Sequence, residues 1–110
     1  MMMIPDQPWK PADATEQLRL LGRNERLTMS QTRHFTQRLL ERDLIIGDAF
    51  HVLKHGFVYE DAEAATIVGY YKYKMESTTP NSNNRVVRVV VVPDLKIKGV
   101  KFITIMWVDE

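Results

Sequence analysis

Between Leu18 and Leu53 apolar side chains recur every three or four residues, and beyond Gly56 the interval drops to two, so the chain reads as helices followed by strands. Asp13, a good N-cap with Glu16 three residues on, opens a short helix whose apolar side is Leu18, Leu20 and Leu21, and residues 22–24 stop it. A second helix takes Thr28 or Ser30 as its cap, Thr28 standing in capping-box spacing with Gln31, and turns Thr32, Phe35, Leu39 and Leu40 to a core before ending near Asp43. After an apolar link of Leu44, Ile45 and Ile46, Asp48 begins a third helix with Ala49, Val52 and Leu53 inward. Gly56 is placed to close it in the left-handed conformation, beside Lys54 and His55.

The period of two predicts strands over residues 57–60, 67–76, 85–92 and 100–108. In the second, Tyr71, Tyr73 and Met75 share one face while Tyr70, Lys72 and Lys74 share the other. The third is almost continuous valine, interrupted by Arg88, which suits a central strand covered by helix on at least one side. Residues 77–84, Ser-Thr-Thr-Pro-Asn-Ser-Asn-Asn, read as a polar hairpin loop and the most mobile part of the molecule. Pro93, Asp94 and Gly99 mark the last turn. Residues 1–11 hold Pro5, Pro8 and Pro11 without a hydrophobic period and read as an irregular lead-in, from which Trp9 can dock on the body. Residues 12–110 then form a single α+β domain, two or three N-terminal helices packed on a four-stranded antiparallel meander sheet.

Composition narrows the functional classes. A chain of 110 residues suits one domain burying roughly two-thirds of its unfolded surface. The absence of cysteine removes disulfide scaffolds, cysteine zinc sites and thiol nucleophiles. No apolar run approaches the ~18 residues that cross a bilayer, and the first ten residues lack the apolar stretch of a signal peptide. The expectation is a soluble cytoplasmic protein with no membrane partner and no cofactor.

The net charge of +1 conceals a segregation along the chain. From Arg19 to Arg42 there are six arginines against Glu25 and Glu41; from Lys72 to Lys101 there are seven cations against Glu76 and Asp94. Brought together, these stretches make a cationic face, and kept apart they only solubilise the surface. His34, Arg38 and Arg42 stand at i, i+4 and i+8, one stripe along the second helix. Metal-independent cleavage of RNA needs such a set, a base for the 2′-hydroxyl, cations for the non-bridging oxygens and an acid for the leaving oxygen. The bland alternative is a solvated helix face. His51 and His55 also stand at i, i+4, but Val52 occupies the position where a zinc protease needs Glu, and no metal site is expected. Lys72, Lys74 and Arg88 would project from neighbouring strands, and a groove lined by Lys72, Arg88 and the His34 stripe would bind a nucleic-acid backbone if all emerge on one side. Thr104 and Trp107 face opposite ways on the last strand, one of them toward the core.

Taken in order, these features resemble a bacterial domain family of unknown function: His34, Arg38, Glu41-Arg42, an isoleucine-rich turn, a short helix ending at Gly56, Tyr71-Lys72-Tyr73, the valine run 86–92, and Ile103-Thr104-Ile105-Met106-Trp107. The resemblance spans about residues 28–108. That family is similar in layout to the RelE-like and barnase-like ribonuclease toxins, whose helices pack on an antiparallel sheet with RNA across it. The resemblance implies His34, Arg38 and Arg42 as the polar helix residues and Thr104 as the last-strand threonine, while Met106 stands where an aromatic residue is commoner. Two functions follow as expectations. One is a toxin-like ribonuclease with His34, Arg38 and Arg42 catalytic and Lys72, Arg88 and Thr104 holding substrate. The other is a non-catalytic domain binding RNA or an acidic, antitoxin-like protein.

Overall fold

The first helix, α1 (Pro11–Gly22), starts at a proline, whose missing N–H costs nothing in the first turn, and carries Asp13 near its positive end. Ala14, Leu18 and Leu21 form its buried stripe, and Leu20, expected inward, is half exposed. The structure, a computed structural model, describes residues 4–110.

The segment Thr-Met-Ser-Gln, read above as a helix cap, is instead a strand, β1 (Thr28–Gln31). Its local alternation is only four residues long, and its partner is the last strand of the chain, about 70 positions away. Thr32 therefore becomes the cap of α2 (Arg33–Glu41): its hydroxyl accepts the Phe35 N–H at 3.0 Å and donates to the Ile103 carbonyl at 2.7 Å. Phe35 and Leu39 are buried, whereas Leu40 is 77% exposed and not a core residue.

In α3 (Ile46–His55) the buried carboxylate of Asp48 reaches back to the Ile45 N–H at 2.9 Å. Asp48 is the third helical residue rather than the first, and it also accepts from the Thr79 hydroxyl at 2.6 Å and the Asn81 amide at 3.1 Å. The loop expected to be most mobile is thus tied to the start of α3, with Thr79 and Ser82 buried. Gly56 is not left-handed; its φ is −77°. It is glycine for closeness, since a Cβ there would lie 2.5 Å from the Val52 carbonyl oxygen and 3.0 Å from that of Glu76.

The remaining elements are β2 (Phe57–Val58), β3 (Glu63–Ala64), β4 (Tyr71–Ser77), β5 (Val87–Asp94) and β6 (Gly99–Trp107). Strands β4, β5 and β6 make the expected antiparallel meander, with the valine strand in the middle. The four-stranded antiparallel sheet is nonetheless a six-stranded mixed one, in the order β1-β6-β5-β4-β2 with β3 also on β4. β1 adds in parallel to β6, and β2 and β3 share the outer edge of β4. Residues 67–70, read as strand, form a turn in which Gly69 takes φ +89°.

All three helices lie on one face of this sheet, over Tyr73, Met75, Val87, Val89, Val91, Phe102 and Ile105. Phe102 stacks on Phe35 at 5.1 Å and meets the edge of Phe50 at 5.6 Å. Ile103 is an extra residue in β6, between Phe102, opposite Val91, and Thr104, opposite Val90, so Phe102 and Ile105 both reach the core. One residue of the lead-in, whose first three positions lie outside the described residues, joins that core: Trp9 is buried, stacks on Tyr73 at 5.4 Å and donates its backbone N–H to the Tyr73 oxygen at 2.9 Å.

Candidate functional site

The sheet separates the residues that the sequence nominated into two groups. Phe35 and Leu39 bind α2 to the covered face, so His34, Arg38 and Arg42 stand outside the helix layer. Lys72, Arg88 and Thr104 alternate with the buried Tyr73, Val87, Val89 and Ile105, which places them on the opposite, helix-free face. The groove that would have joined both groups does not form, because a two-layer domain interposes its sheet between them.

Within the first group the stripe is real but occupied. The exposed His34 ring accepts from Arg38 Nε at 3.3 Å, and Arg38 Nη1 is 2.6 Å from Glu41. Arg42 grips Glu110 with two N–H groups at 2.7 and 2.6 Å and reaches Glu41 at 3.2 Å. Hydrogen bonds from Gln37 and Arg38 hold the Glu41 carboxyl below the ordinary carboxylate range, and the Arg42 fork does the same for Glu110. Both guanidiniums therefore already serve carboxylates of their own chain.

On the helix-free face Arg88 pairs with Glu76, its direct cross-strand neighbour, at 2.8 Å. Lys74 lies 3.3 Å from Glu60 and 3.5 Å from Glu63. Lys72 reaches Glu63 only at 4.0 Å, and Lys101 has no carboxylate within pairing distance among the described residues. These two freer lysines border a cleft of about 370 Å³, walled by Ile67 and Tyr70 of the β3–β4 turn, Val92 and Ile97, with the hydroxyls of Thr28 and Ser30 opposite. The Tyr70 hydroxyl donates to Asp94 at 3.3 Å, which fixes its ring at the rim. Thr104 lies on this face but outside the cleft.

Sequence reasoning put Lys72 in a groove with Arg88 and the His34 stripe rather than in this cleft, and it missed Thr28, Ser30 and the Ile67 turn as its walls. Thr28 and Ser30 were hidden by the helical reading of β1; the available signal was the polar-apolar alternation of Thr-Met-Ser-Gln. His51 and His55 have ring centres 4.6 Å apart, and Arg19, Arg23 and Lys54 around them would repel a metal cation. Among the described residues no helix is long and apolar enough to cross a membrane. No protein-family model matches this chain, and no curated protein or solved structure matches it either.

Proposed function

We propose that this chain is a non-catalytic RNA-binding domain that receives the RNA backbone on the helix-free face of its sheet. The observation that carries the reading is the cleft between Lys72 and Lys101, neither of which, among the described residues, pairs with a carboxylate closer than 4.0 Å, beside two strand hydroxyls and a tyrosine whose hydroxyl engages Asp94, the acid of the cleft. Lysine supplies the phosphate attraction, and hydroxyls and a ring plane suit ribose and base. A nuclease reading on α2 needs Arg38 and Arg42 free to take phosphate, and both are bonded to Glu41 and Glu110 instead.

The test is a salt titration of labelled RNA in EDTA. Affinity should fall steeply as salt rises, Lys72→Glu with Lys101→Glu should abolish most of it, and the RNA should remain intact. Cleavage to 2′,3′-cyclic ends that disappears in His34→Ala would replace this reading by the ribonuclease one. No binding at low salt would leave an acidic protein as the partner.

A further inference from the structure

A second basic cluster lies on the helix side, at the edge of the sheet where α3 runs into β2. Arg19 donates from Nε to the Gly56 carbonyl at 2.9 Å and from Nη2 to that of His55 at 3.0 Å; Arg23 donates to the Lys54 carbonyl at 3.1 Å. These bonds cap the free carbonyls of α3, and they use two N–H groups of one guanidinium and one of the other, out of five on each. Lys54, His51 and His55 complete the cluster. Among the described residues none of these five side chains forms an ion pair with a carboxylate. Of the three acids that follow Tyr59, Glu60 and Glu63 are engaged by Lys74, and Asp61 forms no ion pair among the described residues.

The same edge exposes aromatic rings. Phe57 and Tyr59 remain 48% and 65% exposed, with ring centres 6.1 Å apart and planes 27° from parallel. The Arg19 guanidinium lies 4.3 Å from the Phe57 centroid, so three flat groups neighbour one another at the surface. Glu76, opposite Phe57, stands four residues along β4 from Lys72 of the cleft, roughly 13 Å at the rise of a strand, so the paired part of β2 and the cleft sit toward opposite ends of β4.

Flat exposed rings beside uncompensated cations are what an unpaired base and its phosphate require: every base has a face that can stack, and a duplex hides those faces. We propose that the β2 edge is a stacking site for single-stranded RNA, in which Phe57 and Tyr59 take unpaired bases while Arg23, Lys54 and the free N–H groups of Arg19 take the flanking phosphates. This rests on the RNA reading above and adds to it a preference for single strands over duplex.

The experiment measures anisotropy of fluorescein-labelled U12 and of a 12-base-pair RNA duplex with the whole chain. U12 should bind more tightly than the duplex at equal salt. Phe57→Ala with Tyr59→Ala should weaken U12 about tenfold and leave the duplex unchanged, the size expected for one or two stacked bases. Arg23→Glu with Lys54→Glu should make the salt slope for U12 shallower by about 1.4, two single-strand phosphates' worth. In Phe57→Trp, U12 should quench emission beyond what the native tryptophans show, a readout that a merely structural role would not move. Unchanged U12 affinity in the alanine pair, with binding still lost in the Lys72 and Lys101 variant, overturns this inference and leaves the RNA reading standing. Failure of the native chain to bind either RNA overturns both.

Discussion

Two parts of the surface have nearly the same ingredients and opposite electrostatic states. The α2 stripe holds one histidine and two arginines, and the β2 edge holds two arginines, a lysine and two histidines. On α2, Glu41 and Glu110 take both guanidiniums. At the edge, the guanidiniums donate to backbone carbonyls, which carry only partial charge, so the positive potential survives. The difference teaches that the count of basic residues says little about attraction for polyanions; what decides it is whether the fold brings acids to them.

The largest effect should come from closing the space on which the edge depends. Gly56→Ala puts a Cβ against two backbone oxygens, neither of which can swing away, and should destabilise the fold by about 1–3 kcal/mol, read as a lowered midpoint in urea. Next in size, charge reversal should separate the two clusters: Arg23→Glu with Lys54→Glu should cut RNA affinity at least tenfold at low salt, whereas Arg38→Glu with Arg42→Glu should change it less than about twofold. Equal losses in both pairs would erase the contrast. Smaller again, Glu110→Gln removes the two-pronged bond to Arg42 and weakens the acceptor of the Trp107 N–H, costing about 0.5–1 kcal/mol in thermal unfolding while raising RNA attraction at α2.

The smallest effect is the pH dependence. Arg85 holds the Asp109 carboxyl below its usual range, as Arg42 does that of Glu110, so this contribution to stability is present above the unfolded carboxylate pKa and is lost as pH falls through the folded one. Burial and then the neighbouring His51, Arg23, Arg19 and Lys54 lower the His55 pKa from its ordinary 6.5. The unfolded chain then binds that proton more readily, so stability is full above 6.5 and declines below it. A melting-temperature series should fall in two steps toward acid, and His55→Asn should remove only the upper one.

Legibility in the sequence followed the length of the signal. The valine strand, the face shared by Tyr73 and Met75, and the α3 core rest on seven or more residues of consistent period and appear where the pattern put them, while in α2 the pattern found Phe35 and Leu39 but wrongly counted Leu40. The four residues of β1 and the two of β2 carry too little pattern to outweigh a plausible cap or a longer strand. The loop at 77–84 is polar in sequence, but Thr79 and Asn81 find their acceptor in Asp48, more than thirty residues earlier. For the site, Lys72 was legible from its alternation with Tyr73, and its isolation from Arg38 was not, because face assignment requires knowing which side the helices cover.

Periodicity and composition alone determined that the helices lie ahead of the β4-β5-β6 meander, that the valine strand is central, and that no thiol chemistry is available, since each follows from neighbours in the chain. The parallel strand, the division of cations between two faces, and the acids that silence one cluster while sparing the other were decided only on folding. Those properties are set by distances between residues remote in sequence, and no local rule of spacing contains them.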